Sequence, residues 1–134
     1  MATIARTLPV LTPLNSFFWQ SGRHGRLEIQ RCDDCRTWQH PPGPRCPRCL
    51  GTRLTPQAVS GNGTVEAFTI NHQAWTPGLA VPYVILLVSL DDCPEVRLTS
   101  NLIGGDAGSV RIRQRVRVVF EQQDDVWLPL FTPA

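Results

Sequence analysis

Four of the five cysteines in this 134-residue chain fall in two closely spaced pairs. The pairs are Cys32 with Cys35 and Cys46 with Cys49, and ten residues separate them. Each C-x-x-C bends the chain so that two thiolates face one centre, and two such bends supply the four sulfur ligands that tetrahedral zinc favours. The spacing therefore predicts one structural zinc ion. Four protein ligands leave no coordination position for water or substrate, so the ion is not expected to do Lewis-acid chemistry.

Other chemistries are compatible with paired cysteines. Iron in a rubredoxin-like site stays open, because an all-sulfur tetrahedral shell suits both metals. Disulfides are disfavoured because no export signal is visible, and a redox pair would be expected in a βαβ context that the pattern does not indicate. Gly51 follows the second pair, where a tight turn can present N–H donors to the sulfurs. His40 lies in the proline-rich loop between the pairs and is interpreted as a loop residue, not as a ligand.

The remaining side chains with catalytic potential form no recognisable set. Cys93 follows Asp91 and Asp92, whose charges should raise its pKa, so we interpret it as an inert turn thiol. The three histidines lie in or beside turns, at His24, His40 and His72. His72 is the best candidate of the three, although an ordinary, partly exposed histidine is the favoured interpretation. We therefore expect no catalytic residue in this chain, and we expect that it is not an enzyme by itself.

Arginine supplies all 13 basic side chains, and four of these occupy alternate positions late in the chain. They are Arg111, Arg113, Arg115 and Arg117. On a strand this period places them on one face, which suits phosphate groups, an acidic partner surface, or solvent alone. The formal net charge of +2 is too small to demand a polyanionic partner.

The elements that position these groups are expected to be mostly strands. The 12 prolines and 10 glycines indicate many turns and few long helices. A short helix is predicted within Pro13–Gly22, and its aromatic residues Phe17, Phe18 and Trp19 either fold back on the core or dock on a partner subunit. Alternating or continuous apolar patterns predict strands at Leu27–Cys32, Thr64–His72, Pro82–Leu90, Glu95–Ile103, Arg115–Glu121 and Val126–Phe131.

The predicted fold is mainly β, in three parts. Residues 1–24 form a flexible arm with the short helix, residues 25–55 form a rubredoxin-like zinc ribbon, and residues 56–133 form a five-stranded antiparallel OB-fold barrel. No run approaches about 18 consecutive apolar residues, so no membrane span is expected. The start of the sequence lacks the apolar segment of a signal peptide, and we expect a cytoplasmic protein.

The order of these motifs resembles a known family over roughly residues 14–133. The resemblance rests on the aromatic helix, the two cysteine pairs, and the segments Gly25–Leu27, Ser60–Val65, Pro82–Val84 and Leu128–Pro133. The chain is similar to the acyl-CoA-associated family in which a rubredoxin-like zinc ribbon precedes an OB-fold, long classed as a domain of unknown function. The sequence departs from the family pattern at Arg113–Arg115, where a glycine is usual, and at Cys93, where a glycine is common. The departure at Arg113–Arg115 adds positive charge, so this chain could accept a different partner or ligand from other members of the family.

This resemblance implies a function in an assembly. Members are similar to the C-terminal domain of the bacterial steroid side-chain hydratase subunit, which partners a thiolase-like aldolase. Others bind thiolases, hydroxymethylglutaryl-CoA synthase, or acetyltransferases of aromatic polyketides. The implied role is a non-catalytic accessory or scaffold subunit of a thiolase-like or lipid-transfer-like enzyme, within a hetero-oligomer that binds or channels acyl-CoA. Arg111, Arg113 and Arg115 would then contact CoA phosphates or the partner.

Single-stranded nucleic-acid binding is the alternative function, because OB-folds and zinc ribbons both serve it. Such binders combine basic residues with aromatic platforms on which bases stack. The strand that carries Arg115 and Arg117 has only Phe120 as an aromatic residue, and its parity directs it away from the arginines. The sequence therefore favours CoA or a protein partner over nucleic acid.

Overall fold

The computed structural model describes residues 6–134. Within that range, regular structure consists of one short α-helix, two single turns of 3-10 helix and eight strands. The helix α1 is Ser16–Gln20, and a 3-10 turn at Ser21–His24 continues it. The strands are β1 Leu27–Cys32, β2 Trp38–Gln39, β3 Leu54–Val59, β4 Asn62–Asn71, β5 Tyr83–Leu90, β6 Arg97–Leu102, β7 Arg115–Gln123 and β8 Val126–Pro133. The mainly β prediction is confirmed.

The first sheet has three strands in the order β2-β1-β3. β1 pairs antiparallel with β3 in six positions, from Leu27 opposite Val59 to Cys32 opposite Leu54. The sequence did not predict β3, because its three middle residues are exposed and it lacks an alternating apolar pattern. Pro56 is tolerated there because β3 is an edge strand of this sheet. The strand crosses the ribbon–barrel boundary that was expected at residue 55.

The second sheet closes into a five-stranded barrel with the order β4-β5-β6-β8-β7. This confirms the expected OB-type barrel, but the description of it as wholly antiparallel is wrong. β6 pairs with β8 in parallel, through Leu102 opposite Phe131. The reason is geometric: successive strands reverse direction, and an odd number of alternating strands cannot close without one parallel pair.

A shared hydrophobic core joins the barrel to the three-stranded sheet. Leu27 and Ile29 of β1 are buried, with 1% and 0% exposure, in the same cluster as barrel residues such as Val65 and Phe131. Phe18 of α1 belongs to this cluster and is 4% exposed. Of the two interpretations of the aromatic helix, the structure shows Phe18 folded back on the core. The ribbon is therefore anchored through β1 to the hydrophobic interior of the barrel.

The segment before α1 lies against the barrel from residue 6 onward. Leu8 and Leu11 pack against a second apolar cluster, formed by Val126, Leu128 and Leu130 of β8. Residues 1–12 were expected to be a flexible arm; residues 1–5 of that arm lie outside the described residues, and residues 6–12 contact the barrel. Within residues 6–134, no helix is both long enough and apolar enough to cross a membrane.

Candidate metal centre

The first cysteine pair lies in a tight turn at the end of β1. The backbone N–H of Arg36 donates to the carbonyl of Cys32 over 2.9 Å, and the N–H of Cys32 donates to the carbonyl of Thr37 over 2.9 Å. Arg36 adopts a left-handed conformation, with φ of 64°. This turn directs the sulfurs of Cys32 and Cys35 to the same side of the chain.

The second pair repeats the same geometry. The N–H of Leu50 donates to the carbonyl of Cys46 over 3.0 Å, and the N–H of Cys46 donates to the carbonyl of Gly51 over 2.9 Å. Leu50, one residue beyond Cys49, has φ of 64°, the same value as its counterpart in the first turn. A Cβ at Gly51 would lie 3.2 Å from the Sγ of Cys49, so glycine keeps this position open. Two equivalent turns thus face each other.

The four sulfur atoms form one compact cluster. All four Sγ atoms lie within 4.8 Å of one another, with 3.6 Å between Cys32 and Cys49 and 3.4 Å between Cys35 and Cys46. A tetrahedral site with Zn–S bonds of about 2.3 Å requires sulfur separations of about 3.8 Å. The donor set and its spacing fit a tetrahedral metal ion. The structure therefore brings the four predicted ligands together in a cluster that could hold a metal ion.

Hydrogen bonds favour the thiolate form of two of these cysteines. The hydroxyl and backbone of Thr37 lower the pKa of Cys35 to about 6, and the Thr37 Oγ1 lies 3.1 Å from the sulfur. The backbone N–H groups of Cys49 and Arg48 lower the pKa of Cys46, at N–S distances of 3.5 and 3.4 Å. Sequence reasoning did not identify Thr37, although a hydroxyl two residues after a ligand cysteine is a usable signal.

Cys49 differs from these two cysteines, because its surroundings favour the protonated thiol. The backbone N–H of Gly51 lowers the pKa of Cys49, but the neighbouring sulfur of Cys32 and burial outweigh this effect and raise that pKa to about 12. A divalent cation bound by the sulfurs would hold all four groups as thiolates. Metal binding is therefore coupled to proton release and to the stability of both turns.

Cys93 lies apart from this cluster. It is completely buried, and burial raises the pKa of its thiol to about 12, with smaller contributions from Glu95 and Asp92. The direction agrees with the sequence-based expectation, but the main cause is burial, which the local sequence does not reveal. Asp91 is not among the groups that shift this pKa, and its carboxylate forms an ion pair with Arg115.

The structure does not place the four late arginines on one strand face, so that prediction is wrong. β7 begins only at Arg115, and Arg113 lies in a preceding turn with φ of 70°. Arg115 is bound to Asp91, with 2.5 Å between Nη2 and Oδ2, and this contact lowers the pKa of Asp91. Arg111, Arg113 and Arg117 are exposed. Their contact with phosphates stays a prediction.

The histidines are not part of the sulfur cluster. His40 packs against Phe18 with 4.7 Å between ring centroids, and burial lowers its pKa to about 4. Its neutral ring is therefore a component of the junction between the ribbon and α1. His24 and His72 are exposed.

Comparison with family models accounts for most of the chain. Residues 19–55 match the family described as "ChsH2, rubredoxin-like zinc ribbon domain". Residues 56–121 match "ChsH2, C-terminal OB-fold domain". The family match thus covers the metal site and most of the barrel.

Two curated relatives are similar over most of this chain. The first, from Thermomonospora curvata, is named "Probable enoyl-CoA hydratase alpha subunit" and is 34% identical over 96% of this chain. The second, from Mycobacterium tuberculosis, is named "3-oxo-4,17-pregnadiene-20-carboxyl-CoA hydratase alpha subunit" and is 35% identical over 78% of this chain. This chain spans only 40% and 33% of the lengths of these two relatives.

Solved structures extend the comparison to the whole fold. A chain of the "Ltp2-ChsH2(DUF35) aldolase" has a TM-score of 0.85 and 32% identity, with coverage of 94% of this chain and 98% of that one. A protein of unknown function from the DUF35 family of Sulfolobus solfataricus has a TM-score of 0.63 and 14% identity over 87% of this chain and 82% of its own, which is a likeness of fold alone. These matches confirm the resemblance seen in the sequence, and the chain belongs to the ChsH2 family, in which a rubredoxin-like zinc ribbon precedes an OB-fold domain.

Proposed function

We propose that this chain is a non-catalytic partner subunit of a cytoplasmic complex that processes acyl-CoA thioesters, in which a thiolase-like enzyme does the carbon–carbon bond chemistry. The observation that carries the proposal is the near full-length likeness to a chain of the Ltp2-ChsH2(DUF35) aldolase. The curated relatives are named as hydratase subunits, but this chain spans less than half of either. We therefore propose for this chain the partnership with an aldolase, and we do not propose hydratase activity for it.

The metal in this proposal is zinc with a structural role. Cys32, Cys35, Cys46 and Cys49 would fill its coordination shell, and the bound ion would cross-link the two turns into one stiff unit. The protonated, buried thiol of Cys93 also supports a chain without its own nucleophile. The scaffold role follows from this stiffness, since a rigid ribbon anchored on the barrel core can hold a partner in a fixed orientation.

The partner surface that we propose is the loop between β4 and β5, residues 72–82. Trp75 is 70% exposed and Val81 is 41% exposed, and residues 73–82 include no charged side chain. Large aromatic side chains are enriched among the residues that dominate binding at interfaces. Because Phe18 is committed to the core, this loop is a better candidate for docking than α1.

Coenzyme A contacts are assigned to the exposed arginines of the turn before β7. We propose that Arg111 and Arg113 contact CoA phosphates or an acidic partner surface. Arg115 would contribute less to binding an anionic group, because Asp91 already compensates its charge. Such contacts would position the ligand and would not act as an acid or a base.

Capture of the partner from the native host tests the proposal. The tagged chain is purified from the cytoplasmic fraction, and we expect mass spectrometry to identify a thiolase-fold enzyme in stoichiometric amount. Trp75→Ala should weaken this complex by about 2 kcal/mol or more, roughly 30-fold in dissociation constant. The matched control is Ile112→Ala, which removes an apolar side chain of 52% exposure outside the loop. Recovery of the chain bound to RNA, or alone, would contradict the proposal.

A further inference from the structure

A cavity of about 780 Å³ lies where the proline-rich loop of the ribbon, α1 and the barrel meet. It opens along the side of the barrel where β6 and β8 are paired only at Leu102 and Phe131. Sparse pairing leaves space between the two strands for side chains from outside the barrel. The volume falls within the range of about 300–1,000 Å³ that is typical of small-molecule sites.

The wall of this cavity is mainly apolar. Its apolar side chains include Phe18 and Trp19 from α1, Leu98 from β6, and Leu128 and Leu130 from β8. The two α1 rings pack edge to face, with centroids 4.8 Å apart, and so form a fixed aromatic wall. An apolar molecule would gain most from burial here, at about 25 cal/mol per Å² of apolar surface removed from water.

Two polar side chains of the wall, Ser100 and Asn101, already have hydrogen-bond partners within the protein. Ser100 donates its hydroxyl to the carbonyl of Pro129 over 2.7 Å, which bridges β6 and β8. The amide of Asn101 donates to the carbonyl of Val84 over 2.8 Å and accepts from Arg6 over 2.8 Å. Ser100 and Asn101 therefore have less capacity left for a strongly polar ligand.

The cavity also lacks an uncompensated charge among the described residues that line it. Arg6 is the one arginine of this wall, and its Nε lies 3.5 Å from the carboxylate of Glu121. His40 is the remaining titratable residue of the wall, and burial lowers its pKa to about 4, so the ring is neutral near pH 7. A phosphate or a free carboxylate would find no free counter-charge here.

We infer that this junction cavity is a binding site for a neutral, apolar acyl or fused-ring group. The inference rests on the proposed function, because it places the acyl part of the thioester in the junction cavity and leaves the charged nucleotide of CoA outside it. The neutral, hydrogen-bonded wall matches such a group in charge and in polarity.

Calorimetric titration of the purified, zinc-loaded full chain tests the inference with three probes. Decanoyl-N-acetylcysteamine is a neutral thioester without phosphates, decanoyl-CoA carries both parts, and CoA carries the nucleotide alone. We expect the two decanoyl thioesters to bind with dissociation constants within about threefold of each other, with a negative heat-capacity change, and CoA to bind at least about tenfold more weakly. Equal binding of all three probes, or no binding of either thioester at 1 mM, would overturn the inference.

A matched pair of glutamate variants locates the site. Leu14 lines the mouth of the cavity and is 39% exposed, whereas Val10, four residues earlier, is 81% exposed and is not part of its wall. Leu14→Glu should weaken binding of the neutral thioester by about tenfold, because it places a charge beside the apolar ligand. Val10→Glu should change binding by less than about twofold. Equal effects of the two substitutions, in proteins with unchanged melting temperature, would contradict the location.

The binding experiments on the cavity and the partner-capture experiment on the proposed function can give different results. Thioester binding by the isolated chain, together with no thiolase-fold partner in the native host, would uphold the cavity and refute the partnership. Capture of such a partner by a chain that binds no thioester would refute the cavity alone.

Discussion

Replacement of Ile29 tests whether the zinc ribbon and the barrel are one cooperative unit. Ile29 lies on β1 of the ribbon sheet, is 0% exposed, and belongs to the same core cluster as Val65 and Phe131 of the barrel. Ile29→Ala removes the outer carbons of a fully buried side chain, for which substitutions of this type cost about 2–5 kcal/mol. Because the site is enclosed by both sheets, we expect a value near 4 kcal/mol.

The expected loss is large relative to the stability of a domain. Near 2 cal/mol/K of unfolding entropy per residue, a loss of about 4 kcal/mol lowers the melting temperature of a chain of this size by roughly 12–16 °C. Thermal unfolding is followed by circular dichroism, which reports mainly on the barrel strands, and in parallel by release of zinc to a chromogenic chelator. We expect both transitions to coincide and to shift together.

Gln57→Ala is the control for this experiment. Gln57 lies directly opposite Ile29 on β3 and is exposed, so its truncation should change stability by less than about 0.5 kcal/mol. Zinc release that stays at its original temperature after Ile29→Ala, or a barrel transition that moves by less than about 3 °C, would refute the shared core.

Three further predictions concern the metal, the backbone and pH. Cys46→Ser should reduce the zinc content from one ion per chain to well below one, as measured by mass spectrometry of the purified protein, because the remaining three sulfurs cannot complete the shell. Gly61→Ala should lower the free energy of unfolding, measured in urea, by about 2 kcal/mol or more, because φ is +80° and the new Cβ would lie 2.2 Å from a valine carbon of β7. The control is Gly78→Ala, since Gly78 has a similar φ of +83° but no atom lies within 4 Å of the new Cβ. This control should lower the free energy of unfolding by only about 1 kcal/mol. His40 is neutral in the folded state down to about pH 4, whereas its pKa in the unfolded chain is about 6.5. Between these two pH values the unfolded chain binds one more proton than the folded chain. The free energy of unfolding therefore falls as the pH is lowered from about 6.5 to about 4. His40→Gln should flatten the unfolding free energy across this window, and a pH profile equal to that of the unchanged protein would contradict burial as the cause.

The metal centre is the feature that the sequence predicted most completely. The hydrogen bonds that close each turn connect residues at most five positions apart, so the C-x-x-C spacing carries most of the turn geometry. That two such turns lie near each other is a consequence of a short, stiff connection, which is also visible in the sequence. What the sequence did not reveal is the polar environment of the sulfurs, including the hydroxyl of Thr37.

Strands were predictable from the sequence where buried and less buried residues alternate along the strand. β5 alternates between buried and half-buried positions along Tyr83–Leu90, and the sequence predicted it within one residue of the observed start. β3 was missed because three consecutive residues in its middle are exposed and one of them is a proline. The prediction that four arginines share one strand face was wrong because the alternating arginines continue through a turn. At Arg113 the backbone is not extended, so alternate positions do not lie on one face there.

The sequence by itself determined the parts of this protein that depend on neighbours along the chain. These are the four cysteines of the candidate metal centre, most of the strands and the family to which the chain belongs. Only the tertiary structure decided which faces of those parts meet. It placed Leu27 and Ile29 in the barrel core, buried Phe18 instead of presenting it to a partner, bound Arg115 to Asp91, and left a cavity between β6 and β8. The physical reason is that burial and charge compensation are properties of surfaces brought together from distant positions in the chain, which no local pattern specifies.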